Sequence, residues 1–310
     1  MTVGRRTLLL GGFGALAATA LLGCSVGTPP RPAELVLATG PPGAVYREIG
    51  AALAEALAAH LPDTRVLARE SSASVDNLRL LTTGQAHLGL TTVDAVTEED
   101  AYADAVAAVG RLYDSFLHLV VLESSPVQSL ADLVGRRVSI GASGSGTEFT
   151  VRRLLQLTRV RFQEVLLHQA ESAAALAAGE LDAFFTLTGI PTPAITALAA
   201  RHPVRLVPLP AEAELLADHH PGPYIPATIP VTTYQAVPPC PTVAVPNLLV
   251  ARDDLAADVV EVVTRTVFTE SRRISAGHPE ARRINVRTGI ATGPVRLHPG
   301  AVAWFRSAKH

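Results

Sequence analysis

The chain has 310 residues, with 26 basic against 28 acidic side chains, 48% hydrophobic residues and 17% charged ones. That length suits two domains or one two-lobed body. The apolar content excludes a disordered chain, and the near-zero charge balance argues against nucleic acid as a partner. Lys309 is the sole lysine, so Walker-type phosphate binding and pyridoxal Schiff-base chemistry lack the amine they require.

Residues 1–23 read as an export signal. Arg5 and Arg6 form a positive start, and Thr7 to Leu22 is uncharged. Leu21-Leu22-Gly23-Cys24 is similar to a bacterial lipobox, which makes Cys24 the expected lipidation site. The paired arginines leave twin-arginine export open, and an uncleaved N-terminal anchor is the alternative to cleavage. Either way the body is expected outside the cytoplasm, as a lipoprotein on the outer face of the cell membrane. Residues 24–33 form a Pro-rich tether. With Cys24 acylated, Cys240 stands alone as a passive thiol, so neither a disulfide nor a thiolate metal cluster is expected.

From Glu34 onward, strands alternate with helices. Strands are expected at 34–39, 64–68, 88–91, 116–122, 137–141, 164–167, 182–186, 204–207 and 243–250. Helices are expected at 44–60, 74–83, 147–157, 171–178, 193–200 and 255–275. The alternation predicts an α/β fold with largely parallel sheets. The proline-dense zone 208–246 reads as a linker or as a return of the chain to an earlier sheet. Resumption of an apolar run at Thr242–Val250 favours the return, and with it two lobes.

Ligands in open α/β sheets bind beyond the carboxyl ends of strands, which selects four loops. ATGPPGAVY brings Thr39, Gly43 and Tyr46 to a helix start, either as a ligand wall or as a rigid turn. SSASVDNLR places Ser72 and Asn77 around a capped helix, where capping alone is a sufficient reading. RVSIGASGSGTEFT ends in a capping box, Ser145-Gly146-Thr147-Glu148, so free N–H groups can receive an anion there. FFTLTGIPTPAI carries Thr188, Gly189 and Pro191 to another helix start. Metal spacing is missing from the ten histidines, and the serines and histidines make a triad in number only. The acidic run at Asp94, Glu98, Glu99 and Asp100 reads as a solvated helix face. Hydroxyls beside helix termini suit holding a ligand better than transforming one, and no cofactor or metal is expected.

These motifs, in this order, resemble the TAXI-type solute-binding proteins of tripartite ATP-independent periplasmic (TRAP) transporters. The resemblance rests on ATGPPGAVYREIGAAL, SSASVDNLRLL, SLADLVGRRVSIGASGSGTE, GELDAFF, TGIPTPAI, YIPATIP, VAVPNLLVAR and LHPGAVAWF. It implies a two-lobed periplasmic-binding-protein fold of type II topology, with residues 34–121 plus 240–310 as lobe I and 122–239 as lobe II. It also implies a small carboxylate solute, glutamate-like or dicarboxylate, handed to the membrane subunits of a TRAP permease. By motif position, Thr39, Tyr46, Ser72 and Asn77 belong to one wall. Ser145, Gly146, Thr147, Thr188, Gly189 and Pro191 belong to the other, with Tyr224 near the crossover and Asp94 after the third strand as weaker candidates. The chain departs from the family where Pro41-Pro42 replaces glycines and Arg47 replaces a second tyrosine. Arg47 is then either a carboxylate partner in the cleft or a solvated helical arginine. A sensory module with the same fold, or an enzyme using Cys240 or a histidine, remains an alternative.

Overall fold

The computed structural model describes residues 32–97 and 100–308. The export signal, Cys24 and most of the tether lie outside the described residues, as do Glu98 and Glu99 of the acidic run.

The first half opens with β1 (Glu34–Ala38), α1 (Val45–His60), β2 (Arg65–Arg69), α2 (Ser74–Thr82) and β3 (Leu88–Thr92). In α1 the buried Val45, Ile49, Leu53 and Leu57 recur every fourth residue and make one apolar stripe. Two short helices, α3 (Val93–Val96) and α4 (Asp100–Ala105), lead into β4 (Val106–Leu122). The second half runs through a 3-10 turn, β5 (Arg137–Ser139), α5 (Gly146–Thr158), β6 (Gln163–Val165), α6 (Gln169–Ala177), β7 (Ala183–Thr188) and α7 (Pro193–Ala199). It continues with β8 (Val204–Leu206), α8 (Pro210–His219) and β9 (Ile225–Ile229). The chain returns along β10 (Cys240–Arg252) and ends in α9 (Ala257–Thr269), α10 (Ser271–Ile274), α11 (Val286–Gly289) and α12 (Pro299–Ser307).

The strands lie in the order β2-β1-β3-β10-β4-β7-β5-β6, with β8 beside β4 and β9 beside β10. The outer pairings are parallel: β1 with β2 and β3, and β5 with β6 and β7. Every pairing that β4 or β10 makes with another of these strands is antiparallel. The sheet is therefore mixed, where the alternation of elements predicts a largely parallel one. The difference comes from β4 and β10, which lie side by side and pass through both halves. β4 pairs with the far end of β10 at Val106–Arg111 and with β7 at Phe116–Val120. The expected lobe edges at 121/122 and 239/240 fall at the far ends of these two strands, which both halves share.

Three elements differ from the sequence reading. The fourth strand begins at Val106 and not at 116, because pairing with β10 stabilises an alanine-rich run with little strand propensity of its own. The proline-dense zone contains α8, with Pro210 at its first turn, and β9. The expected 255–275 helix is broken at Glu270, which leaves helical geometry with ψ near 24° and pairs with His60 and Arg273.

Each half is a three-layer sandwich. On one side of the first half, α1, α9 and α12 bury Phe268, Trp304 and Phe305, whose ring centroids lie 5.1 to 5.5 Å apart. α2 covers the opposite side with Leu78 and Leu81. In the second half, Phe184 and Phe185 are neighbours on β7 and serve cores on opposite faces, as the two-residue strand period demands. The substitution Phe268→Ala removes the ring shared by α9 and α12 and should cost about 3–5 kcal/mol. Urea unfolding followed by tryptophan fluorescence measures that loss.

Candidate functional site

Loops leaving the carboxyl ends of β1, β2, β5 and β6 each run directly into a helix, so α1, α2, α5 and α6 all begin at the same place. Their first residues surround one cavity: Ala44, Val45 and Tyr46 from α1, Ala73 and Ser74 from α2, Ser145 to Thr147 from α5, and His168 and Gln169 from α6. Thr92 of β3, Ser115 of β4 and residues Phe185 to Gly189, from β7 and just beyond, complete the walls. Among the described residues, no Asp, Glu, Lys or Arg lines the space. What faces the space instead is helix N-termini, each worth roughly half a unit charge before the capping carboxylates Asp76, Glu148 and Glu171 offset it, together with hydroxyls.

Local sequence fixes each wall. Ser145 Oγ accepts from the Glu148 amide at 3.1 Å, and the Gly144 amide donates to Glu148 Oε2 at 2.8 Å, which completes the cap on α5. Thr147 Oγ1 accepts from the Leu187 amide at 2.9 Å and ties that helix to β7. Ala73 holds φ +84° and ψ −141°, a backbone state that L-residues rarely adopt, at the point where α2 meets the cavity. Its amide donates to Ser71 Oγ at 3.1 Å. The Tyr46 hydroxyl donates to Asn247 Oδ1 at 2.5 Å, and Asn247 Nδ2 donates to Ser115 Oγ at 2.9 Å. Asn247 sits where the register of β10 shifts just after Pro246, and its buried side chain bonds the two lining residues Tyr46 and Ser115. Burial raises the Tyr46 phenol above its ordinary value, with a hydrogen bond from Ser74 opposing and Asp94 adding to the rise, so it remains a neutral donor.

The two halves touch across the cleft. The Asp76 amide donates to the Gly144 carbonyl at 3.0 Å, and Gln169 Nε2 donates to the Gly43 carbonyl at 3.2 Å. A Cβ at position 146 would lie 2.7 Å from Ser74 Oγ, so glycine is what lets α5 and α2 abut.

Of the residues singled out from sequence, Tyr46, Ser72, Ser145, Gly146, Thr147, Thr188 and Gly189 line the cavity. The others do not. Thr39 is fully buried behind the wall, with Oγ1 donating to the Arg69 carbonyl at 2.7 Å. Gly43 sits at the mouth with φ +73° and presents its carbonyl to Gln169. Asn77 is an internal strut, donating to the Thr39 and Leu90 carbonyls at 2.7 and 2.6 Å and accepting from Ser71 Oγ at 2.6 Å. Pro191 follows a cis peptide bond, and its carbonyl accepts from His278 Nε2 at 3.0 Å. Arg47 donates to the Ala68 carbonyl at 3.0 Å and is spent on β2. Asp94 and Tyr224 bond one another at 2.9 Å, outside the cavity lining. Asp94 is fully buried, not part of a solvated face.

Thr92, Ser115, His168, Gln169 and Thr186 also line the cavity, and sequence reasoning passed over them. The available signal was the Glu171 carboxylate that accepts from the His168 amide at 3.0 Å, which marks a helix start two residues before the expected 171. Thr92 and Ser115 carry no local signal, because neighbouring strands bring them to the cleft. Among the described residues no cluster fit for a metal ion occurs.

Two outcomes follow from these placements. Asn77→Ala removes the donor that Asn77 supplies to the buried Thr39 and Leu90 carbonyls and should cost about 2–3 kcal/mol in chemical denaturation. Glu280 is buried beside Gly189, and burial pushes its carboxyl up to about 7 against the opposing Arg283. A carboxyl raised on folding holds its proton longer in the native state, so its contribution to stability falls as pH rises from about 4.5 to about 7. Glu280→Gln should remove that slope, at most about 1.4 kcal/mol per pH unit, in urea titrations of both proteins at pH 5, 6, 7 and 8.

Solved structures share the architecture. A Xanthomonas citri protein bound to ATP is similar with a TM-score of 0.53 and 12% identity, covering 89% of this chain and 95% of that one. The alkanesulfonate-binding protein SsuA from Xanthomonas axonopodis pv. citri, bound to MOPS, has a TM-score of 0.50 and 18% identity over 90% and 92% of the two chains. A putative L-cystine ABC transporter protein from Listeria monocytogenes has a TM-score of 0.50 and 11% identity over 83% and 98%. At such identities the likeness carries the fold, the two-lobed α/β fold of periplasmic binding proteins. In sequence, residues 37–308 match the NMT1-like family, and the chain belongs to that family.

Proposed function

We propose that the protein is an extracytoplasmic receptor for a small carboxylate, glutamate-like or dicarboxylate, which it delivers to a TRAP-type permease for uptake driven by an ion gradient. The observation that carries this reading is the meeting of four helix N-termini on a cavity without a charged side chain. A carboxylate there gains the field of the peptide dipoles and free N–H donors, and no lining carboxylate repels it. Neighbours named for alkanesulfonate and ATP carry anionic ligands on the same fold. The lobes are taken as residues 34–121 with 240–310, and 122–239, with Cys24 as the lipid anchor to the membrane. An enzyme reading on Cys240 is disfavoured, because that thiol is buried outside the cavity lining and burial pushes it up to about 11.

Thermal unfolding of the purified protein against a panel of amino acids and dicarboxylates tests the proposal. A true solute at 100 times its dissociation constant adds about 2.7 kcal/mol of stability. Thr147→Trp, which fills the cavity beside β7, should abolish the shift while leaving the unliganded protein folded. A panel without any shift overturns the carboxylate assignment. Uptake that survives ATP depletion and stops when the ion gradient is collapsed supports the TRAP-type partner, and the reverse pattern removes it.

A further inference from the structure

Asp94 is a fully buried carboxylate whose hydrogen bonds come mainly from the opposite half of the molecule. Its Oδ2 accepts from Thr150 Oγ1 of α5 at 2.7 Å and from the Tyr224 hydroxyl at 2.9 Å, while Oδ1 accepts from the adjacent Ala95 amide at 2.9 Å. Arg153 Nη1 donates to the Tyr224 hydroxyl at 3.2 Å, with its guanidinium 4.6 Å from the centroid of the Phe149 ring. A carboxylate taken out of water is tolerable only when donors replace the lost hydration. Here two of the three donors are present only while the halves are together.

The position of this cluster relative to the cavity is regular. Thr147, Thr150 and Arg153 are spaced by three on α5 and share one face. Thr147 lines the cavity, and Thr150 sits one turn further along. On the other side Thr92 lines the cavity, and Asp94 follows two residues later.

We propose that Asp94, Thr150 and Tyr224 form an interlobe clasp that holds the cleft shut without touching the solute. Opening carries α5 away from Asp94 and returns the carboxylate to water; closure trades that hydration for two donors of the second lobe. The clasp raises the share of the closed state, and apparent affinity scales with that share for every solute alike. It goes beyond the transport reading, because the effect is present with no solute bound.

The test is a distance measurement between spin labels at Asp63→Cys and Glu214→Cys, exposed positions on the two lobes, in full-length chain carrying Cys24→Ser and Cys240→Ser, without added solute. Thr150→Val and Tyr224→Phe each remove one charge-assisted donor and should raise the open-to-closed ratio about tenfold. Thr150→Ser keeps the hydroxyl and should restore the wild-type distribution. Should Thr150→Val fail to fold, Tyr224→Phe carries the same reading alone. A distance distribution unchanged in both variants overturns the clasp, as does a serine variant that behaves like the valine one. A variant that reorders the ranking of L-glutamate, L-glutamine and 2-oxoglutarate in thermal shift also overturns it, since Asp94 then acts on the solute itself.

Discussion

The antiparallel pairing of β4 with β10 is the constraint on which the molecule depends. Two long strands passing side by side through both halves leave each half free to build its own parallel sheet outward. The same pairing sets where the halves can meet, because a register shift interrupts it between Pro246 and Leu248. Asn247 stands in that interruption and links Tyr46 of the first half to Ser115 of the crossing strand. The backbone irregularity and the cavity wall are thus one feature, in keeping with the placement of bulges beside binding sites in sheet proteins.

A second constraint is electrostatic. Parallel strands require crossover helices, and each crossover here begins at the carboxyl edge of its sheet. Once both sheets face one cleft, their helices must begin there together, and the positive ends of their dipoles meet there. Ser145 and Glu148 on α5, and His168 and Glu171 on α6, fix these helix starts with capping bonds. The hydroxyls of Ser72, Thr92, Ser115 and Thr186 line the same space, and those of Thr92, Ser115 and Thr186 are held by Ser74, Asn247 and Gln169.

Much of this was legible from sequence where the signal was local. Alternation of apolar runs located β1, β3, β7 and β10, and the capping box at Ser145 located both the start of α5 and one wall of the cavity. What escaped was set by distant partners. The first ten residues of β4 are strand because β10 pairs along them, not because VAAVGRLYDS favours extension. Thr39 and Asn77 carry the right chemistry beside the right loop, yet each is consumed by the internal hydrogen bonds that hold that loop in place. Arg47 is similar: an arginine on the first turn of a cavity-lining helix, whose guanidinium is occupied by the carbonyl of Ala68 on a neighbouring strand. Spacing along a chain reports which loop a residue serves, but which face of that loop it presents depends on neighbours far away in the chain.

The absence of charged side chains from the lining also bears on how this pocket can change over generations. Peptide dipoles belong to the backbone, and no single substitution of a lining side chain deletes them. The helix N-termini are then robust to mutation, while the side chains around them can vary. Single changes at Ser72, Thr92 or Thr186 alter the lining and leave those helix starts in place. A pocket built on an arginine has no such latitude, since its one cation must be kept at every step.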